Sequence, residues 1–238
     1  MKKTFGNTGL ILAVIILMAG CETVKKTNKA QRGAAGGAVI GGVIGGVIGN
    51  NVGKGGNTVL GAIIGSVVGG VAGGIIGNKM DKQAEKIKNE IPGAEVQRVG
   101  EGIVVTFSEK NPDGSKMGVY FDFDKSDITS NSKLALNKLI QIFKEYPETN
   151  LLVEGHTDDK GADTYNLSLS ERRAMAVGNY LRANNISASR LTINWYGETQ
   201  PKTENTNDAN RAENRRVEFA ITANEKMKEE AKKEAAGK

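Results

Sequence analysis

Residues 151–158 read LLVEGHTD, three apolar residues followed by a run that is mostly polar. A short apolar run that ends in glycine and polar residues predicts a buried β-strand with a loop after it. Apolar residues at helical spacing predict a helix on each side of this strand, over residues 127–146 and 166–184. Pro147 ends the first helix, because proline cannot continue one. The fold is therefore expected to alternate helices with strands.

Four more segments have the composition of strands: 102–107, 117–123, 191–196 and 216–221. The first two flank the turn signal NPDG at 111–114 and are expected to form a hairpin. Helices between strands predict an α/β (α+β) sandwich of the βαβ type, with helices on one face of a mixed sheet. We expect this domain to span residues 101–224. A helical connector at 79–100 would precede it, and a charged tail at 225–238, a frayed helix or disordered, would follow.

Five short motifs are more specific than this pattern. They are VYFDFDKS at 119–126, EGHTD at 154–158, YN at 165–166, LSERRA at 169–174 and NRRV at 214–217. In this order and spacing they resemble the OmpA-like C-terminal domain family, which includes the peptidoglycan-associated lipoproteins. The resemblance covers about half of the chain and implies a domain that binds the cell wall.

The resemblance also implies a binding site for the peptide stem of peptidoglycan, through its diaminopimelate residue. Asp158 matches the aspartate that holds the ligand's ammonium group, and Arg173 matches the arginine that holds its carboxylate. The further pocket residues that the resemblance implies are Thr157, Asn166 and Arg215, with Arg216 as an alternative to Arg215 for a ligand contact or a buried salt bridge.

Simple electrostatics favours the same pair. The free stereocentre of diaminopimelate is zwitterionic, so a carboxylate and a guanidinium on one pocket wall would match both of its charges. A guanidinium can bind a carboxylate through two parallel hydrogen bonds. Asp158 follows the predicted strand on a loop, and Arg173 falls in the first turns of the next helix, so both can face one crevice. The alternative is that the two residues form only a structural ion pair.

Catalysis and metal binding have little support in the sequence. His156 is the single histidine, and Asp158 and Asp159 are close to it in the sequence. No serine lies in a catalytic motif, and no cysteine is available as a nucleophile. A zinc site needs three or four strong ligands. We therefore predict neither an enzyme nor a metal or cofactor site. The net charge of +5 is mixed in sign along the chain, which does not favour a nucleic-acid partner.

The N-terminus has the three parts of a secretory signal peptide, predicted as residues 1–20. Lys2 and Lys3 precede an apolar run, and small residues precede Cys21. The stretch LMAGC at 17–21 resembles the lipobox of bacterial lipoproteins, which implies cleavage before Cys21 and acylation of that cysteine. A polar tether at 21–32 would follow. The resemblance implies a lipid anchor in the outer membrane, with the chain facing the periplasm.

Residues 33–78 hold glycines four residues apart, separated mainly by valine, isoleucine and alanine. This period places the glycines on one helix face, where two helices can approach closely within a membrane. The segment resembles bacterial glycine-zipper domains and predicts a helical hairpin that inserts into a membrane or associates with other copies as a homo-oligomer. A flexible low-complexity linker is the alternative.

Two functions remain open from the sequence. The first is an outer-membrane lipoprotein that binds peptidoglycan non-covalently and tethers the outer membrane to the cell wall. The second is a membrane-acting or oligomerising glycine-zipper protein whose OmpA-like domain serves only as an anchor.

Overall fold

The computed structural model describes residues 68–109 and 118–237. The predicted signal peptide, Cys21, the tether and residues 33–67 of the predicted glycine hairpin lie outside the described residues. The described part contains helices α1 to α5, at Gly70–Glu90, Ser130–Glu145, Asp163–Ala183, Asp208–Asn214 and Glu225–Ala236, and one 3-10 turn, Ala188–Arg190. Its strands β1 to β5 are Glu95–Val99, Gly102–Ser108, Thr149–His156, Leu191–Gly197 and Arg216–Ala223.

The five strands form one mixed sheet in the order β1-β2-β5-β3-β4. Strands β3 and β4 are parallel and are connected through α3, which makes the predicted βαβ unit. The remaining neighbours are antiparallel. The expected α/β fold with a mixed sheet is confirmed.

The predicted hairpin between 102–107 and 117–123 is wrong. Strand β2 pairs instead with β1 across a turn that contains Gly100, whose φ of +56° suits glycine. Residues 118–123 form no strand. The Tyr120 backbone donates to the Ser132 hydroxyl at 2.8 Å and accepts from it at 2.7 Å, so the backbone groups of Tyr120 pair with a helix side chain instead of a strand.

The helix-covered face of the sheet holds the hydrophobic core. Apolar side chains of β2, β3 and β5 meet those of α1, α2, α3 and α5 there. Phe107, Phe143 and Phe219 are fully buried, with the rings of Phe107 and Phe219 in edge-to-face contact at 5.9 Å. Edge-to-face packing adds to the gain from burial.

Helix α1 belongs to this core as well. It buries residues about four apart along one face, including Ile76, Met80 and Ile87. Its first turn is held by Glu101, whose carboxylate accepts hydrogen bonds from the backbone N–H groups of Val68 at 3.0 Å and Gly69 at 3.2 Å. A carboxylate at a helix N-terminus satisfies free N–H groups and complements the helix dipole. Of the helices in the described ranges, none combines the length and apolar character needed to cross a bilayer.

The charged tail forms the ordered helix α5 rather than a disordered end. The Asn224 side chain caps it by accepting from the Met227 N–H at 3.0 Å. Met227 and Ala231 are buried within the core cluster that also includes α1 residues. Only these two positions of a Lys- and Glu-rich segment are buried, which is why composition alone suggested a solvated tail.

The opposite face of the sheet is polar and is contacted by the loop 198–207. The Arg216 guanidinium donates to the Gln200 carbonyl at 3.0 Å, and Lys202 forms an ion pair with Glu95 of β1. The buried Asn214 side chain accepts from the backbone N–H groups of Lys202 and Thr203 at 2.8 and 3.0 Å. The loop is therefore fixed to the sheet by polar contacts.

Candidate ligand-binding site

A cavity lies where β2 and β3 end and β5 begins. It is a small cavity of about 30 Å³ and is partly open to solvent. Three guanidinium groups and one carboxylate contribute to its lining, so it suits an anionic group. The lining residues are Glu109, Val119, Tyr120, Phe121, His156, Arg173, Arg215, Arg216 and Val217.

Arg173 reaches this cavity because α3 packs closely on β3. A Cβ atom at Gly155 would lie 2.5 Å from the Ser170 carbonyl oxygen, so only glycine at that position permits the approach. The Arg173 side chain is 8% exposed, donates from Nε to the Lys125 carbonyl at 3.0 Å, and lies over the Phe121 ring at 5.1 Å from its centroid. Packing thus fixes the guanidinium in place.

Burial lowers the pKa of the Arg173 guanidinium from its ordinary value, while the negative charges of Glu109 and Asp158 oppose that shift. The group nevertheless stays protonated, because an arginine pKa is so high. A guanidinium that stays charged can form strong, charge-assisted hydrogen bonds with a carboxylate.

Asp158 lies beside the cavity, and its closest charged partner is Arg215 rather than Arg173. The Arg215 Nη1 donates to Asp158 Oδ2 at 2.5 Å, and Arg215 also forms an ion pair with Glu109. Burial works against the charged form, but these two carboxylates raise the pKa of Arg215. The other Asp158 oxygen accepts from the Lys160 N–H at 3.1 Å. Arg173 and Arg215 therefore line the cavity, whereas Asp158 is not among its lining residues and is connected to it through Arg215.

Thr157 and Asn166 are buried instead of facing the cavity. The Asn166 amide is 1% exposed and donates to the carbonyls of Asp158 at 3.2 Å and Lys160 at 3.1 Å and to the Glu198 carboxylate. Thr157 is 3% exposed and donates its backbone N–H to the Gly197 carbonyl at 2.9 Å. Neither is among the residues that line the cavity. The Asn166 side chain therefore positions the Asp158 loop, whereas Thr157 contacts Gly197 only through its backbone and its buried hydroxyl has no hydrogen-bond partner among the described residues.

Phe121, Tyr120 and Glu109 line the cavity but were not singled out as site residues. Phe121 and Tyr120 belong to the VYFDFDKS motif, so their membership of that motif is the sequence feature that could have identified them as site residues. Glu109 follows β2 without any motif of its own, and only the pairing of β2 with β5 brings it to Arg215.

One buried cluster in the described ranges has metal-ligand chemistry. Ligand atoms of Glu154, His156 and Glu218 lie within 4.8 Å of one another. However, Arg216 donates to Glu218 at 2.6 Å and therefore already supplies a cation. Burial, with the charge of Arg216 beside it, holds the pKa of His156 well below its ordinary value, so the ring is neutral. The Tyr196 hydroxyl donates to Glu154 at 3.2 Å, and its ring stacks on His156. These contacts give both carboxylates a partner, whereas the two buried ring nitrogens of His156 have no hydrogen-bond partner among the described residues.

Comparison with known proteins gives two family matches. Residues 120–215 match the OmpA family, and residues 1–81 match the YMGG-like Gly-zipper family. The second match extends into α1, whose residues 70–81 lie within the folded unit.

Relatives agree with the first match. Outer membrane porin F of Pseudomonas fluorescens is 44% identical over 108 residues, which are 45% of this chain and 33% of the porin. The chain thus spans about a third of that relative's length. The peptidoglycan-associated lipoprotein of Haemophilus influenzae is 38% identical over 102 residues, which are 43% of this chain and 67% of the lipoprotein.

A solved structure with a similar fold agrees with this match. A MotB-like protein from Desulfovibrio vulgaris has a crystal structure that is similar at a TM-score of 0.54 and 23% identity, covering 62% of this chain and 93% of that one. At this identity the likeness concerns the fold. From its motifs, its sheet and these relatives, the chain belongs to the OmpA family, in common with the peptidoglycan-associated lipoproteins.

Proposed function

We propose that this protein binds peptidoglycan without catalysing a reaction, through the zwitterionic end of diaminopimelate in the peptide stem. The observation that carries the proposal is a cavity lined by Arg173 and Arg215, with the Asp158 carboxylate paired to Arg215 beside it. Opposite charges at one cavity match a ligand group that carries both charges, and they do so without a nucleophile or metal.

The two charges of the ligand have distinct places in this proposal. The ligand carboxylate binds Arg173, whose Nε and Nη2 are already used by the carbonyls of Lys125 and Asp122. Those bonds orient the guanidinium, so that its remaining N–H groups can turn to the ligand. The ligand ammonium binds the Asp158 carboxylate. It either shares that carboxylate with Arg215 or displaces Arg215 from it. Arg215 then balances the charge of Asp158 when the site is empty.

The relatives support a place in the cell envelope. Those that match over the same region are named as an outer membrane porin and as peptidoglycan-associated lipoproteins. With an acylated Cys21 in the outer membrane and the folded domain in the periplasm, the chain would tether that membrane to the wall. Asn166 acts in this proposal by holding the Asp158 loop.

Sedimentation with purified sacculi tests the site. Arg173→Ala in the full chain should reduce binding at least tenfold, because a charge-assisted hydrogen bond is lost and about 1.4 kcal/mol corresponds to a factor of ten. Asp158→Ala should have a similar effect. Arg172→Ala is the matched control, since this neighbouring arginine is exposed and bonds only within its helix, at Ser168.

Folding must be followed in the same samples, because Arg173 also packs on Phe121. Arg173→Lys keeps the charge but loses the fork that binds a carboxylate bidentately, so it should bind weakly while remaining folded. If folded Arg173→Ala still pelleted as the unchanged chain does, Arg173 would have no part in the binding site.

The Gly-zipper match favours a second function, in which residues N-terminal to the folded unit act at the membrane or join copies of the chain. Deletion of residues 33–67 tests it without cutting α1, which begins at Gly70. Loss of oligomers or of a membrane phenotype, with sacculus binding intact, would establish that second role. An unchanged oligomeric state and phenotype would remove it.

A further inference from the structure

A tight turn beside the site presents one aromatic ring to solvent. The Lys125 N–H donates to the Asp122 carbonyl at 3.0 Å and closes the turn. Asp124 adopts a φ of +56°, a region that non-glycine residues rarely occupy. Phe123, inside the turn, keeps 96% of its surface exposed. The left-handed backbone of Asp124 costs free energy, and Phe123 gains none from burial, so neither feature stabilises the fold.

The turn is held rigidly, and the site itself holds it. Arg173 donates to the carbonyl of Lys125 at 3.0 Å and to that of Asp122 at 3.4 Å, which are the two ends of the turn. The Tyr165 hydroxyl on α3 donates to the Asp124 carboxylate. The backbone of Phe123 therefore lies in a turn that Arg173 holds at both ends.

The two phenylalanines of this segment have opposite surroundings. Phe121 is half-buried, lines the cavity and contacts Arg173. Phe123 lies two residues further on, outside the cavity. Asp122 and Asp124 are its neighbours in the sequence, with Lys125 paired to Asp122. A partner for this ring must offer an apolar face together with hydroxyl donors, and these carboxylates disfavour an anionic lipid surface.

We propose that Phe123 is a stacking platform for a sugar ring of the glycan to which the bound peptide stem is attached. A pyranose ring presents C–H groups to an aromatic face, and its hydroxyl groups can donate to Asp122 and Asp124. This inference rests on the proposed binding of the peptide stem. It adds a second contact, to the glycan, and makes Phe123 a determinant of preference for a peptide that carries its sugar.

Two soluble probes test it by calorimetry with the full chain: a disaccharide–peptide released from peptidoglycan and the same peptide without sugar. Phe123→Ala should bind the disaccharide–peptide about fivefold more weakly, a loss typical of one aromatic contact. Its affinity for the free peptide should not change. Phe123→Tyr should stay within about twofold for both probes, since it keeps the stacking face. Val71→Ala is the control, because Val71 is also exposed and lies on α1 near the opposite end of the sheet.

The outcomes separate this inference from the proposed function. If the unchanged protein binds the free peptide through Arg173 but Phe123→Ala binds both probes normally, the sugar contact is wrong and the peptide site stands. Equal losses for both probes would place Phe123 at the peptide and also overturn the sugar contact. If the unchanged protein binds neither probe, both proposals fail.

Discussion

Two adjacent rows of residues cross all five strands, one on each face of the sheet. The row on the helix-covered face consists of Val96, Val105, Phe219, Val153 and Ile193. The row on the other face consists of Glu95, Thr106, Glu218, Glu154 and Asn194. Each member of one row is the chain neighbour of a member of the other, because side chains alternate along a strand. One face is stabilised by packing and the other by matched polar partners.

The polar row contains buried carboxyl groups that need partners, whereas the apolar row does not. Glu154 and Glu218 are cross-strand partners, and Arg216 pairs with only one of them. Burial, together with the charge of Glu218, raises the pKa of Glu154 to about 7. The stability of the polar face therefore depends on pH and salt, whereas that of the helix-covered face depends on volume and shape.

The largest expected loss of stability comes from a substitution in the apolar row. Phe219→Ala removes a fully buried ring that contacts Phe107 and Phe143. It should lower the free energy of unfolding by about 4 kcal/mol, from lost burial and the cavity left behind. Urea denaturation at fixed pH measures it. Leu134→Ala, at an exposed position, should change stability by less than about 0.5 kcal/mol. Similar losses for both variants would contradict a packing-dominated face.

The next effect is on the polar row and depends on pH. The Glu154 carboxyl has a pKa of about 7 in the fold against 4.5 unfolded, so the folded state binds more protons between these values. Stability is then fully present below pH 4.5 and falls as pH rises through 7. Glu154→Gln should match the unchanged protein near pH 5 and exceed its stability by up to about 3 kcal/mol at pH 8.

Thermal unfolding from pH 5 to pH 8 measures this difference. Glu85→Gln, at an exposed position of α1, is the control and should follow the unchanged protein at every pH. If the stability difference between Glu154→Gln and the unchanged protein were the same at pH 5 and at pH 8, Glu154 would already be ionised in the folded protein at pH 5.

The smallest effect is at the edge of the polar row. Lys202→Met removes the ion pair between the loop 198–207 and Glu95, where both side chains are 28% exposed. Partly exposed pairs contribute little, so the loss should be about 1 kcal/mol or less. It should shrink further in 1 M salt, where charges are screened. Denaturation at two salt concentrations measures it, and a loss that persists in high salt would indicate packing by the lysine stem instead.

Much of the fold could be predicted from local patterns. Strand β3, helices α2 and α3 and the mixed sheet follow from short apolar runs and helical spacing. Strand β1 could not be predicted, because its sequence EVQRV has few apolar residues and its pairing depends on the tight turn at Gly100. The packing of α5 was missed for a related reason, since two buried positions do not make a visible pattern.

The site could be predicted in part. Motif resemblance placed Asp158, Arg173 and Arg215 in one site, and the structure brings these three together. It could not show that Asp158 is held by Arg215, because that contact joins residues 57 positions apart. Nor could it separate a residue that faces the cavity from one that holds the loop behind it, as Asn166 does. That distinction depends on burial, which a motif does not record.

The two ends of β2 have a mechanical consequence. Glu101, which holds the start of α1, precedes this strand, and Glu109, which lines the cavity, follows it. Seven residues of extended chain separate them, a length of roughly 23 Å. A force between an N-terminal membrane anchor and a ligand held at the cavity would therefore run along the strands. Under such a load, the hydrogen bonds between β2 and β5 would be strained together in shear rather than opening one after another.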